Sequence, residues 1–274
     1  MFCRFLSNPI DPFPSRVYAP SPMTPQILYA LLIVLCGGLL QGTVGCGFGL
    51  LAVPLLLTVG FPMPTVLAIS AICTAVQAGN GVHHLRHAVP WKLVGVSMVL
   101  RSVTMLLGIW VLWALVSGPV FMIKFWIGLV LLVFLVLQAA WQPRPREKLH
   151  GAWSAAAFLG SGFTGGLCSM GGPPLVLWVM AHDWPTDRTR GFLFASFASM
   201  VPVQLAALYW TFGHDVTRGM LLGLALAPAV FVGSVVGLRA GSRLSKRLLR
   251  ITAFVILFAI AVSSMWPQVA QWMR

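Results

Sequence analysis

Between Phe125 and Ala140, sixteen residues contain one polar side chain, Gln138, and Ile251–Met265 is almost as apolar. With their flanks, such runs approach the ~20 residues that a helix needs to cross a hydrocarbon core. The rest of the chain offers nothing to cover such segments from water. Only 8% of its 274 residues are charged, against about 25% in soluble domains, and the mean hydropathy is +0.90. The sequence therefore predicts an all-α polytopic membrane protein.

The formal net charge of +13 does not point to nucleic acid. The basic residues stand in short clusters between apolar runs: Arg86 with Lys92; Arg144, Arg146 and Lys148; and Arg239, Arg243, Lys246, Arg247 and Arg250. Clusters of this kind mark cytoplasmic loops, held there by the positive-inside bias and by anionic lipid. The five cysteines show neither a disulfide framework nor zinc spacing and suit packing inside apolar segments. Residues 1–24, with prolines at 9, 12, 14, 20 and 22 and no apolar core, are expected to form an irregular tail. Thr24 before Pro25 then fits a helix N-cap followed by a first-turn proline.

The stretch GCGFGLLAVPLLL, residues 45–57, interrupts the apolar pattern with three glycines and Pro54. In a helix interior glycine costs about 1 kcal/mol and proline about 3. A shift of 123 residues places this region on a second one. Gly42 then meets Gly165, Gly49 meets Gly172, Val53 meets Val176, Phe61 meets Trp184 and Pro62 meets Pro185. With a shift of 125, Gly108 meets Gly233 and Val111 meets Val236. An internal duplication follows, with a first membrane repeat at 25–141, a basic cytoplasmic linker at 142–150 and a second repeat at 151–274. Each half opens with a Gly-broken segment (25–58; 152–181) and continues with three spans (65–83, 93–116 and 122–141; 189–211, 216–238 and 249–266).

Loop charge orients the halves. The linker and the 239–250 cluster share the cytoplasmic side only if segment 152–181 enters and returns as a hairpin. Each half then makes an odd number of crossings, so the two are inverted repeats, each a Gly-broken hairpin plus three transmembrane helices. The loops agree: 83–92 is basic and 117–123 uncharged in the first half, and the order reverses in the second. The tail, with Arg4 and Arg16 placed outside, runs against this bias.

In lipid, a broken helix survives only where protein or a wet cavity satisfies its backbone. A half-helix N-terminus presents free N–H groups with partial positive charge, and glycine lets a ligand come close. Paired Gly/Pro interruptions in matching halves point to a transporter's substrate site. The substrate-binding candidates at the breaks are Gly45, Cys46, Gly47, Phe48 and Gly49, and Ser169, Met170, Gly171, Gly172 and Pro173. The competing role is small-residue helix packing, for which Gly38 and Gly42, and Gly45 and Gly49, have the spacing.

These paired motifs, GTVGCGFGLLAVP (42–54) and GGLCSMGGPPLVL (165–177), resemble the Gly-rich signatures of the TauE/SafE sulfite-exporter family, also called 4-toluene sulfonate uptake permeases. The resemblance spans about residues 26–266. Phe48 and Met170 replace signature glycines, and Leu177 stands where the first half has Pro54. It implies transport of small sulfur anions or related carboxylates by a multi-pass protein of the bacterial inner membrane. The residues alone lead only to a secondary transporter.

Polar side chains deep in the spans are few. Gln41, Thr43, Thr164 and Ser169 flank the breaks. Thr74, Gln77 and Asn80 share a helix face, and Ser196, Ser199 and Gln204 lie on the matching helix. They line a cavity or bond between helices. Arg101 lies ~12 Å along its helix from Leu93. It is either the counter-charge for an anion or a snorkelling residue near the cytoplasmic surface. His83 and His87 stand at i, i+4 without a carboxylate or cysteine partner, so no metal site is predicted. His182, Asp183 and Asp187 fit helix capping or, through the histidine, proton coupling.

No nucleotide-binding loop is present, no cofactor is expected, and an ion gradient (protons among the candidates) or facilitated diffusion must drive transport. The partners expected are a small anion and the bilayer, with no nucleic acid; no oligomeric state is specified. An anion channel would use the same helix ends. An intramembrane enzyme would need a central histidine with a nucleophile motif or H-E-x-x-H, and neither is present.

Overall fold

A computed structural model of the protein describes residues 23–116 and 150–241, together with residues 129 and 133. The expected spans 122–141 and 249–266, residues 1–22 and nearly all of the linker lie outside the described residues. Within them the chain forms eight α-helices and no strand. The helices are α1 (Met23–Val44), α2 (Phe48–Val59), α3 (Met63–Leu85), α4 (Trp91–Val116), α5 (Gly151–Cys168), α6 (Gly172–Met180), α7 (Thr186–Phe212) and α8 (His214–Gly241). A 3-10 turn, Arg86–Ala88, links α3 to α4. Thr24 falls inside α1 rather than capping it.

Both predicted interruptions are present, at residues 45–47 and 169–171. The helices on either side of each break are unequal. At 1.5 Å per residue α1 is about 33 Å long and α2 about 18 Å, and α5 is about 27 Å against 14 Å for α6. Among the described residues five helices are long and apolar enough to cross a membrane: α1, α3, α4, α7 and α8. The first broken segment thus pairs a helix of full spanning length with a short one, not two half-helices.

Local chemistry explains the breaks. Gly45 and Gly47 take φ of +90° and +115°, values at which a Cβ would clash. The second half makes its turn with Ser169 at φ +57°, a left-handed conformation that costs an L-residue roughly 1–2 kcal/mol. An αL-type closure supports it, with Ser169 N–H donating to Gly165 O (2.9 Å), and Met170 N–H reaching Thr164 O (3.3 Å).

The halves interlock. α1 packs on α8 and α5 on α4, while α3 and α7 meet each other and also pack on α8 and α4 respectively. Glycines make the two cross-half interfaces. A Cβ at Gly38 would meet Val230 O, and one at Gly42 would meet Ser234 O. On the other side, Gly162 lies against Arg101 O and Gly166 against Met105 O. Small-xxx-small spacing therefore brings backbones together in both pairs. The two interfaces match each other contact for contact. Gly42 plays the part of Gly166, not Gly165, and Gly108, set against Phe163 O, plays the part of Gly237, set against Leu39 O. The sequence match of Gly108 with Gly233 is one helical turn out of contact register.

α4 shows why a membrane bundle is apolar outward. Val96, Val99, Val103, Leu106, Leu107 and Trp110 form an exposed stripe. The opposite, buried stripe carries Val94, Ser97, Arg101, Met105 and Gly108. The one cation of this helix beyond its first turn thus faces protein, not lipid.

Candidate functional site

The two breaks meet across one cavity of about 50 Å³, where roughly 15 Å³ is enough for a water. The first break supplies Gly47, Gly49 and Leu50, and the second supplies Ser169, Met170, Gly171 and Gly172. Gln41 and Gly165 line it from the ends of α1 and α5, Thr74 from α3, and Arg101 and Met105 from α4. α7 closes it with Phe197, Met200 and Gln204.

Arg101 is buried at 2% exposure. Its Nη1 donates to Ser196 O at 2.7 Å, and the guanidinium lies 5.7 Å from the Phe197 ring centre. Its Nε has no partner among the described residues. Among the described residues the only acidic side chains are Asp183, Asp187 and Asp215, and none lines the cavity. The snorkelling alternative therefore fails: the charge is turned into the bundle and stands without a lining carboxylate.

Gln41 Oε1 accepts the Phe48 N–H (3.1 Å), the first free donor of α2. That leaves Gln41 Nε2 buried and without a partner among the described residues. At the second break, Gln204 Nε2 donates to Ser169 Oγ at 2.6 Å, and Ser161 Oγ donates to Gly171 O. The helix ends differ in what they can offer. α2 keeps its backbone N–H groups at Gly49 and Leu50, whereas Pro173 and Pro174 remove two donors from the first turn of α6.

Of the sequence candidates, Gly47, Gly49, Ser169, Met170, Gly171, Gly172, Gln41, Thr74 and Arg101 line this cavity. The others surround it or lie elsewhere. Gly45 packs against Arg190 and Leu193. Cys46 is buried, with its Cβ 3.8 Å from where a Gly172 Cβ would stand. The Phe48 ring is buried under Gly37. Pro173 belongs to the first turn of α6. The hydroxyls of Thr43, Thr164 and Ser199 turn back to the carbonyls of Leu40, Gly160 and Ser196. Ser196 Oγ is buried without a partner, as are both amide atoms of Gln77. Asn80 Nδ2 donates to Ser234 Oγ at 3.2 Å, an interhelical bond.

Met105, Phe197 and Met200 were not signalled by sequence. Their apolar side chains look like any other lipid-compatible residue until the fold turns them inward. His84 Nδ1 contacts Asn80 O, and His182 Nδ1 contacts Trp178 O. The His182 ring also lies tilted against Trp178 and Trp184, with ring centres 4.2 and 4.6 Å away. α7 is capped by Pro185 with no side-chain bond, so Asp187 acts only as a first-turn charge. Among the described residues no group of three His, Cys, Asp or Glu side chains could hold a metal ion.

The described helices thus form an apolar bundle with an arginine-bearing cavity between two helix interruptions. A family model described as Sulfite exporter TauE/SafE matches residues 30–264, and the chain belongs to that family, one of membrane transporters and not of enzymes. No curated protein and no solved structure matches it.

Proposed function

We propose that the protein is a secondary transporter of small anions (sulfite, sulfonates or related organic anions) working by alternating access about its two broken helices. The observation that carries this reading is the pair of buried donors without partners among the described residues, Gln41 Nε2 and Arg101 Nε, in residues that line one cavity. Buried donors are normally bonded, and a guanidinium suits an oxyanion.

The halves act as inverted repeats in this scheme. Support comes from the crossed packing of α1 on α8 and α5 on α4, which lets one half rock against the other. No histidine or carboxylate is among the described lining residues. The setting proposed is the bacterial inner membrane.

Uptake of sulfite, sulfonates and small carboxylates into proteoliposomes, with and without a pH gradient, tests the reading. Saturable uptake of one of these anions, lost in Arg101→Gln, is expected. Absence of uptake for all of them, or uptake indifferent to Arg101, overturns it.

A further inference from the structure

α7 presents one continuous stripe to both breaks. Arg190, Leu193, Phe197, Met200 and Gln204 follow one another at helical spacings of three and four. At the far end of the stripe Gln204 holds Ser169, and in the middle Phe197 and Met200 line the cavity. At the near end Arg190 Nη2 donates to Gly42 O at 2.7 Å. Arg190 and Gln204 are about 21 Å apart along the helix, and Phe197 is about 10 Å from Arg190.

Gly42 lies in the last turn of α1, where carbonyls have no partners further along the helix. Gln41 O is taken by the Gly45 N–H (2.7 Å), and Gly42 O receives the guanidinium instead. A cation at a helix C-terminus also meets the negative end of its dipole. The arginine stem completes the contact, with Cγ 3.6 Å from the position a Gly45 Cβ would take. The grip is incomplete: Arg190 Nε is buried without a partner among the described residues. Asp187, one turn earlier on α7, acts on the guanidinium electrostatically. At the matching place of the first half stands Leu67, so no equivalent cation serves the second break.

We infer that Arg190 is a positioning residue for the transport site, a latch on α7 that holds the end of α1 and with it the first break in the arrangement that buries Cys46. It rests on the reading of the breaks as the transport site. α7 bridges both breaks, so it is the element whose displacement releases Gly42 at one end and Ser169 at the other. Arg190 works through the backbone of residues 42–47 and does not itself line the cavity.

The test uses Cys46, which sits inside the first break and is buried at 9% exposure. In the full-length protein with Cys3, Cys36, Cys73 and Cys168 replaced by alanine, labelling of Cys46 by a small membrane-impermeant methanethiosulfonate is measured without substrate. Arg190→Gln is expected to raise the labelling rate about tenfold or more, the scale of one lost charge-assisted hydrogen bond. It should also raise KM for the anion, because less protein is in the binding-competent state. Arg190→Lys should fall between Arg190→Gln and the unchanged protein.

Equal labelling of Arg190→Gln and the parent, both inserted, overturns the inference. Arg190→Met, which fills the space without a buried charge, gives the same readout if the glutamine variant does not insert. Loss of insertion in both assigns Arg190 to folding and also overturns it. Labelling needs no substrate, so a labelling difference without anion uptake keeps the latch and removes the substrate reading.

Discussion

Gly49 lies against the carbonyl oxygen of Ser169, with no room between them for a Cβ. Under the 123-residue shift this contact becomes that of Gly172 with Cys46, where an added Cβ would stand 3.8 Å away, in ordinary contact. The two breaks thus face each other reciprocally, but the first is packed against backbone and the second is not. Both cavity chemistry and tolerance to substitution follow from that difference.

Gly49→Ala should therefore destabilise the protein by about 1–3 kcal/mol, the usual cost of forcing extra volume into a packed site. Gly172→Ala should leave stability within about 0.5 kcal/mol. Gly172→Leu should insert normally yet block uptake, because its side chain is directed at Cys46 and Phe197 beside the cavity. Thermal unfolding in detergent together with proteoliposome uptake checks all three, and equal melting of both alanine variants would refute the asymmetry.

Arg101 is held by a single hydrogen bond to Ser196 O. Replacing it with Met, of similar length and without charge, should cost little stability or raise it, since burying a charge is expensive. Uptake should fall by roughly a hundredfold, matching loss of a charge-assisted contact of about 3 kcal/mol. A variant that transports normally at unchanged KM would remove Arg101 from the site.

Two glycines of α4 separate packing from propensity. Nothing lies within 4 Å of a Cβ at Gly95, whereas one at Gly108 would strike Phe163 O. Gly95→Ala should stabilise the protein by about 0.5–1 kcal/mol, and Gly108→Ala should destabilise it by about 1–3 kcal/mol by parting α4 from α5. Shifts of the same sign in chemical or thermal unfolding would contradict the glycine interface.

Single cysteines introduced in 117–123 and in 239–250 test the inverted arrangement. A membrane-impermeant reagent added outside should label the first loop and spare the second. Equal labelling of both loops from outside would exclude inversion.

Much of this was legible along the chain because its causes are local. Gly45, Gly47, Pro173 and Pro174 disturb a helix through their own backbone geometry, so the breaks fall where the sequence puts them. Span positions follow as directly from the length of the apolar runs: predicted 93–116 is observed as Trp91–Val116, and predicted 189–211 as Thr186–Phe212. The direction in which a side chain points was not legible. α7 is apolar nearly all round, so nothing in its periodicity separates Phe197 and Met200, which line the cavity, from Trp210, which is 79% exposed. Arg101 was equally ambiguous, since a lone arginine eight residues into a span can reach for the surface or turn inward.

By itself, then, the sequence determined that the chain lives in a membrane, where its helices run and where two of them break. Only the tertiary structure decided that Arg101 and Gln41 line one cavity, that Gly42 contacts Ser234 through a register one turn from the sequence match, and that α7 touches both breaks. Lipid and protein interior are both apolar, so composition cannot distinguish an outward face from an inward one. Helix-to-helix packing makes that distinction, through the glycines that let particular backbones meet.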